Sequence, residues 1–231
     1  MYIYGKNVVR DTLKQNKKIK KIFIYNNFKE IDIIEDLKKL NIKFNFLEKY
    51  ELDKIVNGNH QGIILEVEDF KYGSLNDIDK VENPLIVMLD HIEDPHNFGA
   101  IIRTCEAAGV DAIILPSYRA CEVNSTVIKV STGAINNINI IRVPNLNQTI
   151  NTLKNDGFWF IGTDMEGTDY RKIDYRGKTC IIIGNEGKGM SDLTKKNCDF
   201  IANIPMYGKV NSLNASVATG IIIFEAMKGR I

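Results

Sequence analysis

The sequence predicts an α/β protein in two parts, a small α/β unit followed by a larger domain on a parallel sheet. Three observations predict it. Apolar runs alternate with stretches of helical spacing along most of the 231 residues. In the second part those runs are almost continuously apolar, as strands covered on both faces must be. Between the parts, "EDFKYGSLNDIDKVENP" (68–84) loses periodicity and gathers Gly, Asn, Asp and Pro, the composition of a connecting segment. The expected boundaries are 1–68 for the first unit, 69–83 for a linker and 84–231 for the second domain.

In the first part, residues 6–15 and 31–40 have helical spacing, and "KIFIY" (21–25), "IKFNFL" (42–47) and "GIILEV" (62–67) read as strands. The middle strand alternates Ile42, Phe44 and Phe46, the period of a half-buried ribbon. In the second part the strands are "PLIVMLD" (84–90), "DAIILP" (111–116), "INIIRV" (138–143), "FWFIGTD" (158–164), "CIIIGN" (180–185) and "FIANIP" (200–205). Open parallel sheets bind ligands beyond the carboxyl ends of their strands. There the sequence places "HIEDPHNFGAIIR", "GTDMEG", "GNEGKGMS" and "MYGKVNSLN", four loops rich in Gly, Asn and acid or hydroxyl groups.

Composition sets the bounds. With 44% hydrophobic and 26% charged residues the chain can bury a core and remain soluble. A net charge of +1 neither demands nor forbids an anionic partner, so a nucleic-acid site would have to come from local clustering. The densest basic stretch is "KQNKKIKK" (14–21), either a solvated loop or, through Lys17 to Lys21, a phosphate contact. Cys105, Cys121, Cys180 and Cys198 form no C-x-x-C pair and no metal-ligand spacing with the histidines, so buried reduced thiols and no metal are expected. The start, "MYIYGKNVVR", lacks the pattern of a signal peptide. No stretch approaches the ~20 apolar residues that span a bilayer, and a cytoplasmic protein is expected.

"GNEGKGMS" (184–191) is a glycine-rich strand-to-helix turn but not a P-loop, because Gly189 is followed by Met190 where Lys and a hydroxyl are needed. It lets a ligand approach bare backbone, and Glu186 between glycines has little packing purpose. "DPHNFGAIIRTCEAAG" (94–109) reads as a helix capped either by Asp94 with Pro95 in the first turn or by Asn97. Arg103 in that apolar helix is a solvated edge or a paired anchor for phosphate. His91 and His96 flank the turn without a nucleophile partner, and His60 reads as a turn residue or an RNA contact. The last helix repeats Leu213, Val217, Ile221 and Phe224 at the spacing of one buried face. It is entered through Asn211, Ser212 and Asn214, and carries Gly220 in mid-helix at a cost of ~1 kcal/mol against Ala. Close approach of a neighbouring segment would explain that glycine.

Three segments, "DPHNFGAIIRTCEAAGVDAIIL", "IIIGNEGKGMSDLTKKNCDFIANIPM" and "GKVNSLNASVATGIIIFEA", resemble the ordered motifs of the SpoU/TrmH family of RNA ribose 2′-O-methyltransferases, within the SPOUT superfamily. Residues 1–68, from "YGKNVVRDTL" to "NHQGIILEV", resemble the family's ribosomal-protein-like (L30e-type) substrate-binding domain. The resemblance implies S-adenosylmethionine (S-adenosyl-L-methionine) as methyl donor, RNA as substrate, a homodimer, and a trefoil knot threaded by the last helix. Carried over residue by residue, it implies catalytic roles for Asn97, Arg103, Glu186, Ser212 and Asn214. It implies cofactor contacts at Thr163, Gly184, Ile204 and Leu213.

By the same resemblance the first choice of substrate is a guanosine of 23S ribosomal RNA. A transfer-RNA guanosine or a ribosomal adenosine follows. A phosphotransferase fails at Met190, and a non-enzymatic RNA-binding module leaves Asn97, Glu186 and Ser212 without purpose.

Overall fold

The structure, a computed structural model, describes residues 1–14, 18–185 and 187–230. Its contacts fall into two compact units, Met1–Lys71 with Val123–Thr132, and Tyr72–Glu122 with Gly133–Ile231.

The chain begins with β1 (Tyr2–Tyr4), α1 (Lys6–Lys14), β2 (Ile19–Tyr25), α2 (Ile31–Lys39), β3 (Asn45–Leu47), α3 (Lys49–Ile55) and β4 (Ile63–Val67). The sheet order is β1-β4-β2-β3. β1 and β2 run antiparallel to β4, and β3 runs parallel to β2. Val8, Val9 and Leu13 of α1 and Ile33 and Leu37 of α2 bury against Ile22, Ile24, Ile63 and Leu65. Two elements of this leading stretch had no counterpart in the sequence reading. β1 forms because Tyr2 to Tyr4 register against Glu66 to Ile64, a pairing no local pattern announces. α3 starts at a reciprocal cap in which Glu48 and Glu51 exchange side-chain and backbone bonds. The expected strand 42–47 shortens to its last three residues.

Residues after β4 are tied down. Gly73 donates its N–H to the Ile140 carbonyl at 2.8 Å, and a Cβ there would strike Asn139. A 3-10 turn over Leu75–Lys80, capped by Ser74, buries Ile78 in the second unit's core.

The second unit continues with β5 (Leu85–Asp90), α4 (Pro95–Ala108) and β6 (Ala112–Pro116). α5 (Ser125–Ser131) belongs to the first unit, where Ile128 rests on its core. Then come β7 (Asn139–Val143), α6 (Leu146–Asn155), β8 (Trp159–Asp169), β9 (Thr179–Gly184), α7 (Asp192–Lys196), β10 (Phe200–Asn203) and α8 (Ala215–Lys228). The six strands lie in the order β10-β8-β9-β5-β6-β7, every neighbouring pair parallel as expected. β5, β6 and β9 are buried almost throughout, which is why they read as unbroken apolar runs.

α4 is capped by Asp94, whose Oδ1 accepts from Asn97 N at 2.8 Å, with Pro95 in its first turn. Gly109 ends it with φ +79°. Asp94, not Asn97, is therefore the cap. α8 corrects a second reading. Its buried residues are Ala215, Thr219, Ile222, Ile223 and Ala226, whereas Val217 and Phe224 are 51% and 53% exposed. The helix is apolar on nearly every side, so its spacing fits more than one face. Gly220 is corrected too: a Cβ there would meet only Thr104 Cγ2 at 3.5 Å, an ordinary contact. No close approach requires glycine.

Candidate active site

The middle of β8, the carboxyl end of β9 and the chain leading into α8 surround a cleft of ≈ 400 Å³, within the ~300–1,000 Å³ typical of small-ligand sites. β8 contributes Thr163 and Asp164, and β9 with its turn contributes Gly184, Asn185 and Lys188. Ile204, Asn211, Ser212 and Leu213 complete the wall, and Ala215, Ala218 and Ile222 of α8 close it.

The turn after β9 is folded back on the strand. Asn185 N donates to Gly189 O at 3.1 Å and Gly189 N to Asn185 O at 2.8 Å. The Asn185 side chain holds the turn from inside, accepting from Gly187 N at 2.9 Å and donating to His91 O at 2.8 Å. Gly189 has φ +67°, a conformation costly for residues with a Cβ. Gly184 is needed for space: a Cβ would come within 2.5 Å of Gly189 C and Met190 N. Gly184, Gly187 and Gly189 of this turn line the cleft.

Behind the turn, β5 ends at Asp90, which pairs in register with Gly184 and is 1% exposed. One carboxylate oxygen of Asp90 accepts from Ser191 N at 2.9 Å, and the other bonds His91 Nδ1. His91 has φ +63°. A buried carboxylate is costly unless its oxygens are paired, and these bonds fasten β5 to the turn after β9.

At the entrance to α8, Asn214 is the cap, its Oδ1 accepting from Ser216 N at 2.9 Å. Its Nδ2 donates to Asn97 Oδ1 at 2.9 Å. The amides of two helix N-termini, 117 residues apart, are joined.

Asp164 is the cleft's acid. Burial raises its pKa, but the Glu166 N–H at 3.0 Å and the Lys195 ammonium at 3.0 Å outweigh that and hold it below the usual carboxylate range.

The sequence-derived positions separate into groups. Thr163, Gly184, Ile204 and Leu213 all line the cleft, as does Ser212. Thr163 lies within β8 itself, its hydroxyl donating to Ile182 O at 3.0 Å. Asn97 and Asn214 are bonded to each other. Arg103 is exposed on α4 and is not part of the lining. Glu186 lies outside the described residues. Asn211, marked in the sequence as part of the polar entry to the last helix, lines the cleft as well. Asp90, Asp164, Asn185 and Lys188 were not singled out, although all but Asp90 fall in stretches marked by composition.

The basic stretch 14–21 is described only in part. Lys18 pairs with Glu68 at 3.1 Å and Lys21 with Glu66 at 3.7 Å, so acids partly neutralise it. The thiols are buried or half-buried. Burial pushes Cys121 up to about 11 and Cys198 up to about 12, which suppresses thiolate chemistry. No helix among the described residues is long and apolar enough to cross a membrane.

Residues 84–224 match the SpoU rRNA methylase family, and residues 2–73 match the RNA 2′-O ribose methyltransferase substrate-binding family. The chain belongs to the SpoU family, whose members methylate RNA. It is 41% identical to YacO of Bacillus subtilis, placed among TrmH family tRNA/rRNA methyltransferases, over 99% of this chain and 96% of that one. An AdoMet-bound rRNA methyltransferase of Sinorhizobium meliloti superposes with a TM-score of 0.80 at 29% identity, covering 100% of this chain and 87% of that one. The fold is also that of the SpoU methyltransferase AviRb from Streptomyces viridochromogenes, with TM-score 0.81, 24% identity and coverage of 100% and 90%.

Proposed function

We propose that the chain transfers the methyl group of S-adenosylmethionine to a ribose 2′-hydroxyl of RNA, with a guanosine of 23S ribosomal RNA as first target. The observation that carries this reading is the convergence of Thr163, Gly184, Ile204, Ser212 and Leu213 on one cleft. A transfer-RNA guanosine is second, because the name of the Bacillus subtilis relative covers both RNAs. A ribosomal adenosine is third.

The cleft suits that methyl donor. Apolar walls from Ile204, Leu213 and Ile222 match an adenine ring, and the glycines of the turn after β9 let a flat ligand approach closely. Asp164 and Asn211 supply acceptors and donors for an amino-acid tail. When bound, the donor supplies a methyl already activated on a sulfonium. The chain's own work is then to fix the ribose, exclude water and receive the hydroxyl proton. Holding the reacting groups in place can contribute ~7–11 kcal/mol.

In this reading the Asn97–Asn214 pair and the Ser212 hydroxyl orient the ribose. Arg103 holds the target phosphate, since a guanidinium keeps its proton near neutrality and matches phosphate bidentately. The proton passes to that phosphate or to Glu186. Residues 1–68 serve as the RNA-binding domain and 84–231 as the catalytic domain, joined by 69–83, in keeping with the two family matches. The outward apolar face of α8, with Val217 and Phe224, suits a homodimer interface. A trefoil knot threaded by α8 and a cytoplasmic location complete the proposal.

The test is transfer of tritium from labelled S-adenosylmethionine to ribosomal and transfer RNA, with 2′-O-methyl mapping in a deletion strain. Labelled 23S RNA and one missing methyl are expected. Absence of calorimetric heat with the donor, even with RNA present, would overturn the assignment.

A further inference from the structure

The first unit holds its own cavity, ≈ 590 Å³, lined among others by Tyr25, Phe28, Lys29, Lys49, Asp53 and Gln61. It is built around a buried histidine. His60 is 6% exposed. Its Nδ1 accepts from Gly62 N at 3.0 Å, so the ring proton sits on Nε2, which donates to Asp53 Oδ1 at 2.9 Å. The imidazole therefore aims an exposed carboxylate, and Asp53 Oδ2 has no partner among the described residues. The backbone around it is held in unusual conformations. Gln61 has φ +53° and Gly62 φ +84°, and a Cβ on Gly62 would lie 3.0 Å from Phe28 Cδ2. The missing side chain at Gly62 leaves room for the Phe28 ring, which is half-buried at the edge of the unit's core and also lines the cavity. Gln61 Oε1 accepts from Lys6 N at 2.9 Å, which leaves its amide nitrogen as a donor. Lys6 is committed to Glu30 at 2.7 Å, whereas Lys29 and Lys49 make no ion pair among the described residues.

An aromatic ring, a pre-aimed carboxylate, an amide donor and two uncommitted lysines match one ligand class. Sequence-reading proteins take unpaired RNA bases by stacking them on aromatic rings and bonding their edges. Guanine is the base whose Watson–Crick edge sets two N–H donors side by side, the arrangement a carboxylate accepts. Lysines answer the flanking phosphates. The volume, ≈ 590 Å³, is that of a small-ligand site.

The geometry points to this cavity as a recognition pocket for one unpaired guanosine of the RNA substrate: Phe28 stacks on the base, Asp53 reads its edge, and Lys29 and Lys49 hold the backbone. The inference rests on the RNA reading above and adds a base and a place to it.

The test uses the full chain and fluorescein-labelled octauridylates carrying one central guanosine or one central adenosine. The guanosine oligonucleotide is expected to bind about ten-fold tighter, the discrimination of one good bidentate pair. Asp53→Asn should erase that preference at an unchanged melting temperature. Phe28→Ala should weaken both oligonucleotides about ten-fold. Lys29→Ala and Lys49→Ala should each lower the salt slope by about one unit. Equal binding of the two oligonucleotides, or a preference that survives Asp53→Asn, overturns the pocket. The same variants are titrated with S-adenosylmethionine. Cofactor heat and methyl transfer without guanosine preference sink the pocket alone, whereas guanosine preference without cofactor heat supports the pocket and sinks the methyltransferase reading.

Discussion

The two cavities of this chain are made of different materials. The cleft in the second unit is walled by backbone turns, short amides and apolar side chains, with Gly184 and Gly189 keeping the chain bare. The cavity in the first unit is walled by long lysines, aromatic rings and a carboxylate. Backbone cannot change rotamer, so a turn locked by paired N–H and C=O groups suits a ligand of fixed shape. Lysines adapt, and their charge acts over distance, which suits a flexible polyanion. The difference teaches that a glycine and a lysine can both be binding residues, through rigidity in one case and reach in the other.

The comparison can be broken most sharply at Gly184. Gly184→Ala places a Cβ 2.5 Å from two backbone atoms, so the turn must move. We expect the calorimetric heat with S-adenosylmethionine to vanish while oligonucleotide binding by the first unit persists; a normal heat would show that the rigid wall is dispensable. Next is Asn214→Ala, which removes the cap of α8 and the bond to Asn97. A kcat loss of about 100-fold is expected from misplacement of the ribose, with a stability loss of about 1 kcal/mol for the cap. Steady-state kinetics and chemical denaturation separate the two.

A smaller effect tests the cleft's charge. Asp164 is held below the ordinary carboxylate range by the Glu166 N–H and Lys195 against the opposing effect of burial. A carboxyl depressed in the folded state adds stability above its unfolded value of ~3.9 and loses it as pH falls through the folded one. The melting-temperature gap between wild type and Asp164→Asn should be constant down to about pH 5 and close only below about pH 4. A gap that closes near neutrality would contradict the assignment. The smallest effect is a gain: Gly220→Ala, with room for its methyl beside Thr104, should stabilise by about 1 kcal/mol and leave both cavities' ligands bound.

Much of the second unit was legible because burial on both faces writes itself as continuous apolar runs, and Leu85 to Asp90 is the clearest case. The loops at the strand ends were legible from Gly and Asn content, and Thr163, Gly184 and Leu213 from them line one cleft together with Ile204. What was hidden depends on partners far along the chain. Local sequence could not choose between Asp94 and Asn97 as a cap, since both side chains can accept from a helix N–H. In the structure Asp94 accepts the Asn97 N–H, while the Asn97 side chain accepts from Asn214, 117 residues away. Likewise nothing near Asp90 announces Ser191 as its donor. On α8, the row Val217, Ile221, Phe224 has the same period as the row that is buried, and only packing tells them apart. His60 looked like a turn residue because its role is to position Asp53, seven residues earlier.

The assignment of α5 to the first unit means that this unit is encoded in two stretches, Met1–Lys71 and Val123–Thr132. A chimaera designed to retarget the enzyme by exchanging its amino-terminal module must transplant both. Grafting only the leading stretch would set a foreign sheet against a native Ile128 shaped for Ile3 and its neighbours.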